Sequence, residues 1–294
     1  FRRCPALGDH RKFLMRNTRP SAVAPEGDYI LGTHDEEIQR LGLQHRVWRP
    51  HVLAAWKKAG IGRGSRVLDL GAGPGCATID LAEIVGPLGE VVALERSRNF
   101  VDALNQSVSS RGLTNVTAHQ LDLMTDELPG NHYDFAWCRW VAMFVTDPAL
   151  LVAKLAGPLQ RGSIAIFHEY AQYNTWRFSP RLPAQEEFIR RVTESWRING
   201  GDSDVALRLP ALLVQNGFTI RATTPLIFSL RASDEMWQWP ATFIRSGLVR
   251  LEQLGLVDRQ FTQQVEGECD EAERNENALM ITPLVLEILA EKLN

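Results

Sequence analysis

The spacing of apolar residues changes several times along the chain, and each change predicts a new structural element. From Asp35 to Leu53, apolar residues such as Ile38 and Val47 recur every three or four positions, which predicts a helix. Pro50 falls inside this run, where a proline predicts a break or a kink.

Between residues 66 and 167, short apolar runs alternate with segments of helical periodicity. The short runs predict five strands: Arg66–Leu70, Glu90–Leu94, Val116–Leu121, Tyr133–Trp137 and Ser163–Phe167. Strands that alternate with helices over short connections are typical of an α/β fold. We therefore expect a doubly wound parallel sheet with helices on both faces.

The pattern is less regular after Phe167. Residues 169–204 are rich in aromatic residues and arginine and end in a turn-like segment. A helix over Val205–Asn216 and a strand over Phe218–Leu230 then return to the earlier pattern, and residues 232–276 predict further helices.

Composition narrows the class of protein. The 294 residues suit one large domain or two small ones, and 45% hydrophobic with 23% charged residues is ordinary for a globular chain. The formal net charge of −3 does not favour nucleic acid as a partner. No apolar run approaches the roughly 20 residues of a membrane helix. The four cysteines lack paired or metal-binding spacing, so we expect a reducing, cytoplasmic location and no metal.

The first 27 residues are arginine-rich and contain scattered proline and glycine. They predict a flexible extension without a functional role, upstream of a natural start such as Met15. A targeting peptide is the alternative, although the segment lacks the apolar core of a secretory signal.

The most specific motif is the run Val67-Leu-Asp-Leu-Gly-Ala-Gly-Pro-Gly75, which follows a strand and opens a helix. Glycines at this place let the backbone approach a ligand at the carboxyl edge of the sheet. The spacing departs from a dinucleotide fingerprint, and Asp69 would repel a pyrophosphate. Pro74 also removes an amide that a phosphate would use. The loop therefore favours a cationic ligand with an amino-acid part.

This run resembles the first motif of class I S-adenosylmethionine-dependent methyltransferases, of the small-molecule type related to quinone-biosynthesis and secondary-metabolite enzymes. The resemblance implies S-adenosylmethionine as cofactor, with Glu95 at the ribose hydroxyls and Asp122 and Leu123 at the adenine. Arg139 and Trp140 would lie under the methionine part. The cofactor residues that it implies are Tyr29, Gln44, Asp69, Gly71, Ala72, Gly73, Pro74, Gly75, Glu95, Arg96, Asp122, Leu123, Arg139 and Trp140. Tyr29 and Gln44 belong to an N-terminal cap that closes over the cofactor in similar proteins, although local capping explains them equally well.

A base is needed when the methyl acceptor must lose a proton, and His168 follows the fifth predicted strand, where chemistry is expected. His168 is equally suited to a structural hydrogen bond, and His34 and His45 are weaker candidates. Aromatic residues in the irregular segments suggest an apolar or aromatic acceptor, although core packing explains most of them. The predicted acceptor contacts are Phe144, Glu169, Tyr170, Tyr173, Trp176 and Trp237.

The class I resemblance also implies a sheet of seven strands, of which the last is antiparallel and inserted between neighbouring strands. Residues 278–294 are the remaining strongly apolar segment, although the stretch from Leu284 to Leu293 also has the periodicity of an amphipathic helix. The order of the fold favours the strand. The predicted units are an extension (1–27), an N-terminal helical cap (28–60), a Rossmann-like core (61–231), a helical lid insertion (232–277) and the last strand (278–294).

The predicted activity is methyl transfer to a small organic acceptor by a monomer or homodimer that uses neither nucleic acid nor a membrane. Two alternatives stay open: a protein that binds S-adenosylmethionine without turnover, and a nicotinamide-dependent oxidoreductase.

Overall fold

The computed structural model describes Gly32 and residues 35–293. The predicted extension, Tyr29 and His34 lie outside the described residues. Within the described part, no helix is long and apolar enough to cross a membrane.

A seven-stranded sheet forms the centre of the molecule. Its first five strands are β1 (Arg66–Leu70), β2 (Glu90–Glu95), β3 (Val116–Gln120), β4 (Tyr133–Arg139) and β5 (Leu159–Gln172), and the other two are β7 (Phe218–Leu226) and β10 (Leu284–Lys292). The strand order is β3-β2-β1-β4-β5-β10-β7, and neighbours among the first five strands pair in parallel. The predicted doubly wound sheet is therefore confirmed, although β5 is much longer than the predicted run Ser163–Phe167.

The C-terminal segment forms β10 (Leu284–Lys292), which lies between β5 and β7 (Phe218–Leu226) and is antiparallel to both. Ile288 is fully buried and lies opposite Phe167 on one side and Thr223 on the other. A strand paired on both edges and covered on both faces reads as a continuous apolar run. This explains why the same residues could also suggest a helix, and the prediction of a last antiparallel strand is confirmed.

Helix α1 (Asp35–Ala59) covers one face of the sheet and runs through Pro50 without ending. Acidic residues in its first turn and lysines in its last turn match the helix dipole. Two fully buried tryptophans of α1 anchor it, and one of them, Trp56, meets Trp137 of β4 edge to face with 5.4 Å between ring centroids. The helices that connect the parallel strands are α2 (Cys76–Val85), α3 (Arg98–Ser110) and α4 (Pro148–Ala156).

The less regular part of the sequence contains more structure than its pattern predicts. Residues 169–204 include β6 (Arg177–Ser179) and α5 (Pro183–Ile198), neither of which was predicted. The predicted strand Phe218–Leu230 ends at Leu226, and the separate β8 (Ser229–Leu230) pairs with β9 (Leu279–Ile281) in a small sheet with β6. Three-stranded pairing of such short segments depends on distant partners, so local patterns do not reveal it.

The predicted helices in the C-terminal third are present as α6 (Leu209–Gln215), α7 (Gln238–Gln253) and α8 (Arg259–Arg274). Helix α7 lies against α1, where Trp239 meets the Trp48 ring edge to face at 4.8 Å. The guanidinium of Arg40 lies 5.9 Å from the Phe243 ring at the same interface. Helices α1 and α7 therefore form one layer over the sheet.

The central place of β10 gives a direct test. Ile288→Asp puts a carboxylate between two covered strands, and we expect it to lower the free energy of unfolding by at least about 3 kcal/mol. Leu88→Asp is the matched control, because Leu88 is 86% exposed and its change should stay within about 0.5 kcal/mol. Urea unfolding followed by circular dichroism measures both, and an Ile288→Asp protein as stable as wild type would contradict the strand assignment.

Candidate functional site

A cavity of about 300 Å³ opens where β1 to β4 end, and most of the predicted cofactor residues line it. Those in its wall are Gln44, Asp69, Gly71, Ala72, Gly73, Pro74, Glu95, Arg96, Asp122, Leu123, Arg139 and Trp140. Parallel strands bring residues that are far apart in sequence to this one edge. Gly75 is not among the described lining residues, and Tyr29 lies outside the described part.

The three glycines of residues 71–75, the glycine loop, have different roles although all have positive φ. A Cβ on Gly71 would lie 2.3 Å from the Val141 side chain, and one on Gly75 would lie 2.2 Å from Leu104. A Cβ on Gly73 would meet nothing within 4 Å. Gly71 and Gly75 therefore permit close packing of the protein on itself, whereas Gly73 lets the loop border open space.

Three backbone amides of the glycine loop, those of Ala72, Gly73 and Gly75, are engaged inside the protein. The Ala72 amide donates to the Leu94 carbonyl at 2.9 Å, and the Gly75 amide donates to the Ala72 carbonyl at 3.1 Å. The Gly73 amide donates to Oε2 of Glu95 at 2.9 Å, and Pro74 has no amide hydrogen. The loop therefore does not offer the row of free amides that cradles a phosphate.

Two carboxylates, those of Glu95 and Asp69, lie in the cavity wall next to the glycine loop. Oε1 of Glu95 accepts from the Ser97 amide at 2.8 Å, and burial raises the pKa of Glu95 although these amides lower it. Asp69 is 2% exposed and accepts from the Thr78 hydroxyl at 2.6 Å. Burial raises the pKa of Asp69 to about 7, against the opposing effects of Thr78 and of Arg139. A cation or hydroxyl groups suit such a wall better than an anion.

The loop after β3 is fixed at both of its ends. Oδ1 of Asp122 accepts from the Met124 amide at 2.8 Å, so this carboxylate closes a local turn. The ammonium of Lys154 donates to the carbonyls of Leu123, Met124 and Asp126. Asp122 and Leu123 are thus held at the cavity by a lysine of α4 that no motif indicated.

The loop after β4 is strained and is held by a buried carboxylate. Trp140 has φ +53°, which is uncommon for a bulky residue and costs of order 1–3 kcal/mol. The amides of Val141 and Ala142 both donate to Oε1 of Glu169, at 2.8 and 2.9 Å, and the Trp140 amide donates to the His168 carbonyl at 3.0 Å. These bonds hold Trp140 in the cavity wall, with the Arg139 guanidinium 5.1 Å from its ring.

Glu169 therefore supports the loop and was predicted as an acceptor contact. Its side chain is fully buried, and burial raises its pKa to about 7 against the lowering effect of the loop amides. Glu169 is not among the described residues that line the cavity, and it lies behind the loop that forms part of the cavity wall.

His168 is fully buried between α1 and the sheet. Its Nε2 atom lies 3.3 Å from Oε2 of Glu287 in β10, and its ring lies 4.9 Å from that of Trp137. Burial lowers the pKa of His168, although Glu287 opposes this. His168 does not appear among the described residues that line the cavity. These contacts favour the structural alternative that its sequence position left open, and its role as a base stays a prediction.

The other predicted acceptor contacts divide in a similar way. Phe144 lines the cavity. Tyr170, Tyr173 and Trp176 are buried in an aromatic cluster and are not among the described lining residues. Trp237 lines a different cavity beside α7 and α8, where its indole donates to Glu273 at 3.3 Å. Most of these aromatic residues are therefore packed in the core, in agreement with the core-packing alternative.

Some lining residues are absent from the predicted set. Cys76 and Val141 directly follow predicted motif residues, and Phe100 lies in the first turn of α3. Their closeness in sequence to the motifs is the feature that could have identified them as lining residues. The described residues contain no group of three or more histidine, cysteine, aspartate or glutamate side chains placed to share a metal ion.

Comparison with known proteins agrees with this architecture. The chain is 29% identical over 165 residues to a demethylmenaquinone methyltransferase of Geobacillus stearothermophilus, an alignment that covers 56% of this chain and 69% of that protein. It is 28% identical over 129 residues to a protein of the same name from Staphylococcus carnosus, covering 44% of this chain and 52% of that one. The chain thus spans only about half of the second relative.

Solved structures support the fold alone, because their sequences are distant. The cyclase SpnF superposes with a TM-score of 0.54 at 18% identity, over 83% of this chain and 80% of that one. A Haemonchus contortus N-methyltransferase in complex with phosphomonomethylethanolamine and S-adenosylhomocysteine gives 0.54 at 16% identity, over 90% of this chain and 60% of that one. The fold is therefore shared by proteins named for different reactions.

The family model that matches this chain is described as "Methyltransferase domain" and matches residues 61–217, which include β1 to β5 and the glycine loop. This match covers more than half of the chain, and the chain belongs to this methyltransferase domain family.

Proposed function

We propose that this protein transfers a methyl group from S-adenosylmethionine to a small organic acceptor. The observation that carries the proposal is the glycine loop, in which the Ala72, Gly73 and Gly75 amides have partners within the protein while carboxylates line the cavity beside it. A dinucleotide would bring its pyrophosphate to this loop, where these three amides are engaged, Pro74 has no amide hydrogen and the Asp69 carboxylate would repel it. A ligand with ribose hydroxyls and a positive charge fits the same wall.

The end of the cavity lined by Glu95, Asp122 and Leu123 supports the proposed contacts with adenosine. The carboxylate of Glu95 accepts the Gly73 and Ser97 amides on different oxygens, and its four lone-pair sites leave room for ribose hydroxyls as well. Asp122 and Leu123, held by Lys154, offer a carboxylate and a backbone amide to the edge of an adenine ring.

The methionine end supplies the complementary charges. The guanidinium of Arg139 lies in the cavity wall, and its buried Nη1 atom has no hydrogen-bond partner among the described residues. Burial lowers the pKa of Arg139 to about 10, so it stays charged at neutral pH. A desolvated guanidinium with unused donors suits a carboxylate. Asp69, on the same wall, suits the ammonium group.

When bound, the sulfonium supplies an activated methyl group, and the chain's own residues have to orient it and exclude water. Trp140, Val141 and Phe144 give this end of the cavity an apolar surface. We propose a small apolar or aromatic acceptor here, which the names of the demethylmenaquinone methyltransferase relatives also support. Helices α1 and α7 would form the lid.

We further propose a secondary-metabolite enzyme that works in the cytoplasm as a monomer or homodimer. The described cysteines Cys76, Cys138 and Cys269 are all unpaired, which supports a reducing compartment.

Binding and turnover test the proposal directly. Calorimetry should detect S-adenosylhomocysteine and no binding of nicotinamide dinucleotide. S-adenosylmethionine with a labelled methyl group should then label one or more members of a panel of small phenols, quinols and amines. Tight binding of NAD with none of S-adenosylhomocysteine would contradict the assignment, whereas binding without any transfer would support the non-catalytic alternative.

Glu95→Ala should weaken S-adenosylhomocysteine binding by roughly 1.5–3 kcal/mol, because it removes the acceptors for the ribose hydroxyls. Glu90→Ala is the matched control, since Glu90 begins the same strand at its other end and pairs with Arg66. Calorimetry on both proteins, with circular dichroism to show that they are folded, gives the answer. Equal affinity for Glu95→Ala and wild type would mean that the ribose lies elsewhere.

The role of His168 can be separated into stability and turnover. We expect His168→Ala to lower the free energy of unfolding by about 2–4 kcal/mol through the lost Glu287 contact and the cavity created, with turnover near wild type. Lys58→Met removes a second donor to Glu287, the charged ammonium at 3.0 Å, and should show the same pattern more weakly. A large fall in turnover of folded His168→Ala, with cofactor affinity unchanged, would instead identify His168 as the base.

A further inference from the structure

Arg139 is held in place by a residue outside the family motifs. Its Nη2 atom lies 3.1 Å from Nδ1 of His45 on α1, and Nη1 has no hydrogen-bond partner among the described residues. The guanidinium otherwise faces the rings of Trp137 and Trp140, at 5.9 and 5.1 Å, which position a cation without fixing its rotation. The contact with His45 therefore orients the donors of Arg139 in the cavity wall.

The two neighbours of His45 determine which ring nitrogen carries the proton. A guanidinium only donates, so Nδ1 must accept from Arg139 and cannot carry a hydrogen. A carboxylate only accepts, so Nε2, which lies 3.1 Å from Oδ2 of Asp80, must carry the hydrogen. Asp80 on α2 is in turn held by the Nε atom of Arg49 at 2.6 Å. The ring is thus fixed as the neutral Nε2–H tautomer.

We infer that His45 is a positioning residue for the cofactor: its neutral Nε2–H form orients Arg139 toward the carboxylate of the methionine part, and protonation of Nδ1 ends this support. The inference rests on the proposed function, because the carboxylate belongs to the proposed cofactor. Protonated Nδ1 would carry a hydrogen and a positive charge toward a guanidinium, which removes the hydrogen bond and adds repulsion.

A second residue of α1 contributes to the same end of the cavity. Arg40 forms a two-pronged ion pair with Glu37, at 2.6 and 2.7 Å, and donates to Oε1 of Gln44 at 3.0 Å. The Gln44 oxygen is therefore occupied, and its amide NH₂ group is the part left to face a ligand. Gln44 lines the cavity, so α1 presents donors there and none of its carboxylates, which again suits an anion.

The direction of the pH effect follows from the charged groups that face His45. These are Asp80 from α2, Arg49 from α1 and Arg139 from the end of β4. Burial lowers the pKa of His45, Arg139 and Arg49 lower it further, and Asp80 opposes them, with a net lowering. His45 is therefore neutral at pH 7, and the support of Arg139 is present above this pKa and is lost as the pH falls through it.

The test uses S-adenosylhomocysteine as the probe and two substitutions of His45. His45→Leu removes the acceptor, so we expect about tenfold weaker binding at pH 8 and a higher KM for the cofactor with little change in kcat. His45→Asn places an amide oxygen close to the position of Nδ1, and this acceptor does not titrate. His45→Asn should bind within about threefold of wild type at pH 8.

Measurement across pH distinguishes positioning from a merely structural role. Between pH 8 and pH 5, wild type should lose about tenfold more affinity than His45→Asn, because protonation of Asp69, whose pKa is about 7, weakens binding in both proteins alike. His51→Asn is the control, because His51 also lies on α1 but packs on Phe228, and it should keep the wild-type profile. Nitrogen NMR of the wild-type ring at pH 8 should show the Nε2–H tautomer.

Three results would overturn the inference. They are wild-type affinity in His45→Leu at pH 8, a loss of affinity from pH 8 to pH 5 in His45→Asn as large as in wild type, and an Nδ1–H tautomer. If His45→Leu does not fold, the His45→Asn profile and the NMR measurement still decide. Failure of wild type to bind S-adenosylhomocysteine at any pH would overturn the proposed function, and this inference with it.

Discussion

The site depends on the parallel arrangement of β1 to β4, which ends four neighbouring strands at one edge of the sheet. This arrangement brings Asp69, Glu95, Asp122 and Arg139 together although they span 70 residues of sequence. Charged groups at such an edge are costly to bury unless each has a partner. Local groups meet this requirement: the Thr78 hydroxyl for Asp69 and the amides of Gly73 and Ser97 for Glu95. The carboxylates of Asp69 and Glu95 are therefore held in the cavity wall by the protein's own groups.

Helix α1 is attached to this frame by charge as well as by apolar packing. Near its end, Lys58 donates to Glu287 of β10 at 3.0 Å, and in its middle His45 joins Asp80 and Arg139. Partial burial raises the pKa of Asp80, but the hydrogen bonds from His45 and Arg49 outweigh it and lower the pKa overall. These contacts join α1 to α2, β4 and β10. They therefore fix the position of α1 relative to the strands beside the cavity.

Sequence patterns revealed the parts of this molecule that depend on local or strictly periodic information. The five parallel strands follow from apolar runs between turns, and the glycine loop, Glu95 and Asp122 follow from short motifs at strand ends. Strand β10 needed the order of the whole fold, because burial on both faces removes the alternation that identifies a strand.

The remaining features depend on contacts that no local pattern encodes. His45 and Arg139 are 94 residues apart, and a histidine on a helix gives no sign of its partner. An aromatic residue that lines a cavity, such as Phe144, has the same local signature as one that fills the core, such as Trp176. Whether it faces space or protein depends on the packing of distant helices, which is why most of the predicted acceptor contacts are core residues.

The loop after β4 connects the cavity wall to strand β5 and helix α7. Trp140 is held at positive φ by bonds to β5, with its amide on His168 and the next two amides on Glu169. One neighbour of its ring is the Arg139 guanidinium, and others are the stacked rings of Tyr170 and Trp239, at 5.6 and 5.5 Å. Because Trp239 belongs to α7, any movement of that helix would act on the ring that packs against Arg139. A single strained residue thus joins helix α7, the apolar wall and the buried cation, and the strain persists because Glu169 and β5 fix the backbone on both sides of it.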